Sequence, residues 1–155
     1  MYLIDLSTLN IEKALESWQW IGLDGCDVVA VSAFGDIFFE SYDGIKFLDT
    51  LEGTLSVIAS DKDDLNQLLE TKEGKDKYLL AGLVDRATSE GMTLEPSQCY
   101  DFSIPPILGG QISYLNIQCQ DFVVSINISG QIHKQIKDLP PGTKIDNITI
   151  DGDAH

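Results

Sequence analysis

Histidine is nearly absent from these 155 residues: His133 is the only internal one and His155 is the last residue. A Ser-His-Asp triad would have to use one of the two, and no G-x-S-x-G turn is present to carry a nucleophile. Standing alone in a polar context, His133 is expected to be exposed or to cap a helix. Cysteine is scarce as well. Cys26, Cys99 and Cys119 form an odd set without CxxC spacing, which argues against a disulfide framework and against a zinc knuckle. They are expected to act as small buried apolar residues. H-E-x-x-H, EF-hand, Walker A and G-x-G-x-x-G patterns are all missing, so no metal and no cofactor is expected. No stretch reaches the roughly 20 apolar residues of a membrane span. "MYLIDLSTLN" has neither the basic region nor the apolar run of a signal peptide, and a reducing cytoplasm is the expected compartment.

Positive charge is the other shortage. Ten Lys and Arg stand against 25 Asp and Glu, a net charge of −15 with a pI near 4.2. Nucleic acid, which is held by clustered Lys and Arg, is excluded as a partner, and anionic membranes are repelled. A basic protein would be attracted, and its approach steered. The plainer role of such a surface is solubility. With 25 acids, a carboxylate pair of glycosidase type is always available, which makes that reading weak.

What is present is enough for one domain. A chain this long buries roughly 70% of its unfolded surface and needs no staple. The reading divides it into a single α+β domain over 1–142 and a polar C-terminal extension over 143–155. "LSTLNIEKALESWQW" reads as a first helix, with Ile11, Leu15 and Trp18 on one face. "VVAVSAF", "IFFESY", "IKFLDT" and "TLSVIA" read as a four-strand antiparallel meander over 28–59, turned at Gly35-Asp36, Asp43-Gly44 and Glu52-Gly53. Those acids therefore look like turn-makers rather than catalysts, and Glu40 and Lys46 look like a cross-strand pair. "SDKDDLNQLLE" starts a second helix, capped by Ser60, with Asp61, Asp63 and Asp64 in its first turn. "DKYLLAGLVDRATSEG" reads as a third, stopped at Gly91. The Pro- and Gly-rich run around Pro96 to Gly110 reads as a connector. Two further strands are expected over 112–119 and 121–129, the second ending at Gly130. The expected fold is α+β, with helices packed on one face of a mostly antiparallel sheet.

One run, "FGDIFFESYDGIKFLDTLEGTLSVIAS", resembles the C-terminal domain of immunity proteins that neutralise a DNase toxin delivered by type VI secretion. Three more features are similar to that family. Trp18 and Trp20 lie on a helix before the strand, a helix region runs from Leu80 to Leu94, and Tyr100, Phe102, Pro105, Pro106, Leu108, Gly109 and Gly110 form a late "Y-x-F-x-x-P-P-x-L-G-G" segment. The resemblance covers roughly 8–142. Fuller members carry a preceding domain, whereas this sequence opens at the shared one, as a stand-alone relative would. The resemblance implies a non-catalytic bacterial protein whose partner is a cognate toxin, basic if it is a nuclease. Asp61, Asp63 and Asp64, the densest acidic cluster, are the candidate partner-binding residues; helix-dipole compensation is their alternative role. An intracellular binding or scaffold module without a toxin is the alternative for the whole chain.

Overall fold

Ile37, Phe38 and Phe39 are consecutive in sequence and all three are buried. In an antiparallel strand this requires cover on both faces. The computed structural model describes residues 2–140, 143, 145 and 148–150. In it, β1 (Asp27–Val31), β2 (Ile37–Ser41), β3 (Gly44–Asp49) and β4 (Thr54–Ala59) form an antiparallel sheet in sequence order. Ile37, Phe39 and Leu48 point to one face, where Trp18, Phe122 and Ile126 meet them. Phe38, Ile45 and Phe47 point to the other, against Leu65 and Leu79. The α+β class holds, but the helices cover both faces rather than one.

The turns differ from expectation by a residue. Ser41 pairs with Gly44, so Tyr42-Asp43 is the hairpin loop, and only Gly44 has positive φ (127°). The first turn is the loop Ala33–Gly35, closed by Ser32 N donating to the Asp36 carbonyl at 2.8 Å. Lys46 stands opposite Phe39 and pairs with Asp43 (3.6 Å), while Glu40 reaches Lys62 (3.9 Å). A Cβ on Gly44 would lie 2.5 Å from the Ala59 carbonyl oxygen. Gly44→Val is therefore expected to destabilise by more than about 1 kcal/mol, which urea unfolding would measure.

Before the sheet, the expected long helix is a single turn, α1 (Ile11–Ala14), capped by Asn10 and continued as a 3-10 stretch over Leu15–Ile21. After it come α2 (Lys62–Glu70), α3 (Lys72–Leu79) and α4 (Ala81–Ser89). Asp61, not Ser60, caps α2. The expected single helix over 76–91 is broken at Leu80, whose φ is +50°. The break lets Leu79 join the cluster under the meander while Val84 and Ala87 join a different one with Phe34, Tyr100 and Phe102. A straight helix would aim these residues by its fixed periodicity alone.

The last third departs furthest. The expected connector contains β5 (Gln98–Phe102), which pairs antiparallel with β6 (Ile117–Asp121) as a separate two-stranded sheet. The strand expected over 121–129 is instead the start of α5 (Phe122–Ile136). Asp121 caps it, accepting from Val124 N at 3.0 Å, and Phe122 and Ile126 bury one turn apart. Gly130 lies inside this helix. Most of the extension expected over 143–155 lies outside the described residues; within it, Thr149 exchanges two hydrogen bonds with the Gln135 side chain (3.0 and 2.6 Å).

Candidate functional site

Thr50, at the end of β3, joins three parts of the chain. Its backbone N–H (2.9 Å) and hydroxyl (2.6 Å) both donate to one oxygen of Asp36. Its carbonyl accepts from the Ser129 hydroxyl (2.8 Å) and from His133 Nε2 (3.0 Å) on α5. Asp36 is 4% exposed. Burial, with Asp49 as the second cause, pushes its carboxyl up to about 7 against the pull of the Thr50 donors. Among the described residues no ion pair compensates it. His133 is buried rather than exposed or capping. It stacks obliquely on Trp18 at 5.7 Å and leaves Gly53 no room for a Cβ. Burial lowers its pKa against the opposing effects of the Thr50 carbonyl, Asp49 and Glu52. Nε2 faces a carbonyl and so carries a proton, and burial favours the neutral form of the ring. Ser129 and His133 both donate to that same oxygen, so the pair forms no nucleophile–base contact.

Above this hub lies a narrow pocket of about 50 Å³ between the turn after β3, the Pro105–Ile107 segment and α5. Phe34, Leu51, Phe102 and Ile132 supply apolar wall, and Asp101, Ser125 and His133 supply polar groups. The space holds a few waters or a side-chain tip. Asp101 accepts from Phe102 N at 2.8 Å. Its pKa is raised, chiefly by burial, with the Ser125 hydroxyl and that N–H acting the other way. Asp36 is not among the pocket residues, because Thr50 stands between.

The Pro105–Ile107 edge of the pocket belongs to a loop from Ser103 to Asn116 that Asn116 holds in shape. The side-chain amide of Asn116 donates to the carbonyls of Ile104 and Gln111 (both 2.9 Å) and accepts from Ile104 N (3.0 Å). A Cβ on Gly110 would collide with the Ile104 carbonyl. The clamp leaves apolar side chains outside: Ile104 is 57%, Ile112 55% and Leu115 92% exposed. Residues 102–133 carry one charged side chain, Asp121. In a chain with 23% charged residues that gap was the readable signal for this face, and the sequence reading passed over it.

Asp61, Asp63 and Asp64 lie at the start of α2, away from the pocket lining. Asp61 accepts from Asp64 N (2.8 Å), and Asp64 accepts from Ser60 N (2.8 Å) and its hydroxyl (3.1 Å). These are capping bonds, and Asp63 is exposed beside them. Among the described residues no group of three His, Cys, Asp or Glu is placed to hold a metal ion, and no helix is long and apolar enough to cross a membrane. Cys99 is buried, with its thiol pushed up by burial; Cys26 and Cys119 are half-buried.

This small α+β domain carries a partly apolar, charge-poor segment beside a pocket the size of a side-chain tip, with Asp101 on the pocket wall. In a comparison with known families, residues 59–133 match the model described as T6SS immunity protein Tdi1, C-terminal. The matched span runs from the end of β4 to His133 in α5, so it takes in Asp101, the Ser103–Asn116 loop and most of α5. The type VI secretion immunity family that the sequence resembles is thus the one matched. No curated protein matches the chain.

Proposed function

We propose that this chain is a non-catalytic, cytoplasmic immunity protein that binds and neutralises a nuclease toxin delivered by type VI secretion. The observation that carries this reading is the family match over 59–133. The charge of −15 supports the nuclease assignment: a nuclease holds its nucleic acid in a basic cleft, and an acidic protein is drawn to such a cleft and repelled from the nucleic acid itself.

Asp61, Asp63 and Asp64 are proposed to act in steering. Long-range attraction raises association rates toward ~10⁸–10⁹ M⁻¹s⁻¹ at low salt and is screened as ionic strength rises. Asparagine caps helices as well as aspartate, so Asp61→Asn/Asp64→Asn removes two charges while keeping cap acceptors. Stopped-flow association with the cognate toxin, across ionic strength, is expected to show a slower and less salt-sensitive rate at an unchanged melting temperature. An unchanged rate would leave these residues to the helix alone. Absence of any binding by the wild-type chain would overturn the immunity reading.

A further inference from the structure

Ile104, 57% exposed, immediately precedes the Pro105–Ile107 segment that lines a pocket whose carboxylate has no cation. Asp101 takes part in no ion pair among the described residues, although one edge of the pocket is open to an incoming side chain. We infer that this face is the docking site for the toxin: a Lys or Arg side chain of the partner enters the pocket against Asp101, and apolar residues around it cover Ile104 and Ile107. The inference rests on the immunity reading and adds the face and the chemistry of the partner's contact.

Three observations select this face over other exposed apolar residues. The first is composition: the centre of a protein–protein interface is depleted of charge while its rim is polar, and 102–133 is the charge-poor segment of an otherwise acidic chain. The second is rigidity. Asn116 fixes the loop with three hydrogen bonds, so little ordering cost remains to be met on binding. The third is sign. The pocket offers Asp101, and Asp49 and Glu52 lie close enough to His133, on its wall, to favour that ring's charged form. Those groups want a cation. A second copy of this chain would bring a further −15 toward the same carboxylates, so self-association is disfavoured, whereas a basic protein meets opposite charge.

The test uses the full chain, its cognate toxin and three variants: Ile104→Asp, Asp101→Asn and Val57→Asp. Val57 is 50% exposed on β4, outside the pocket lining, and serves as the control for adding a charge to an apolar surface position. The expected result is a loss of at least about tenfold in affinity for Ile104→Asp, seen in the dissociation rate. Asp101→Asn is expected to dissociate severalfold faster, and folded Val57→Asp to bind as the wild type. The melting temperature of Ile104→Asp stays unchanged. If the wild type binds the toxin and Ile104→Asp and Asp101→Asn bind equally well, the docking face is elsewhere and the immunity reading survives. If Ile104→Asp abolishes a wild-type dimer without weakening the toxin complex, the face serves self-association and the inference is overturned. If the wild type does not bind the toxin, both readings fall.

Discussion

Gly130→Ala is expected to destabilise the protein by about 1–3 kcal/mol, although alanine normally improves a helix interior by up to about 1 kcal/mol over glycine. The reason is the crossing of α5 by the 3-10 stretch that carries Trp18. Ser17 donates its hydroxyl to the Asn127 carbonyl (2.7 Å), and Trp18 Nε1 donates to the Ile126 carbonyl (2.8 Å). Both bonds draw the two backbones together at Gly130. A Cβ there would lie 2.8 Å from the Ser17 carbonyl oxygen and 2.8 Å from Trp18 Cδ1, and nearer still to the Ser17 hydroxyl. The hydroxyl can rotate away; the backbone oxygen and the buried indole cannot. Gly82, exposed in the first turn of α4, meets nothing within 4 Å. Gly82→Ala should therefore stabilise where Gly130→Ala destabilises. Urea unfolding of the two variants checks the sign, and a gain in stability for Gly130→Ala would refute the close approach.

That glycine also shows what the sequence made legible. "FVVSINISG" carries the β-branched residues of a strand, and Gly130 reads naturally as its end. Tertiary packing overrides such a propensity: Phe122, Ile126, Gly130 and His133 recur at four- and three-residue steps and all turn inward. The helical period was in the sequence but was outweighed by residue type. The meander was legible because each hairpin brings its own turn chemistry. Its Asp43-Gly44 turn slipped by one residue because the loop keeps negative φ at Tyr42 and Asp43 and assigns positive φ to Gly44 alone. The run Ile37–Phe39 announced cover on both faces, a signal in plain view. The pocket was not legible. It assembles Phe34, Thr50, Asp101 and His133 from segments whose nearness depends on the break at Leu80 and on α5 being a helix. Asp36 was read as a turn-maker, which left its burial unseen, since nothing in "FGDIFF" states that the carboxylate points inward to Thr50.

Asp36→Asn is expected to raise stability above pH 7 and to remove one pH dependence while leaving another exposed. In the fold the Asp36 carboxyl titrates near 7, against an ordinary 3.8, because burial disfavours the ion. A raised carboxyl binds its proton more tightly in the folded state. Its contribution to stability is therefore full below about pH 4 and is lost as pH rises toward 7. At about 1.4 kcal/mol per decade of pH, the ceiling of that loss is ~4 kcal/mol. Asparagine keeps an oxygen for both Thr50 donors and has no charge to bury, so the loss disappears in the variant. His133 works in the opposite sense. Burial lowers its pKa below 6.5, so the stability tied to its neutral form is present above that value and is lost as pH falls through the folded-state pKa. In the wild type the two dependences oppose each other across the acidic range. In Asp36→Asn, urea unfolding from pH 4 to 8 should show higher stability at pH 8 and a clearer fall on acidification. Identical profiles for variant and wild type would mean that Asp36 is not the buried, proton-holding group that its contacts with Thr50 describe.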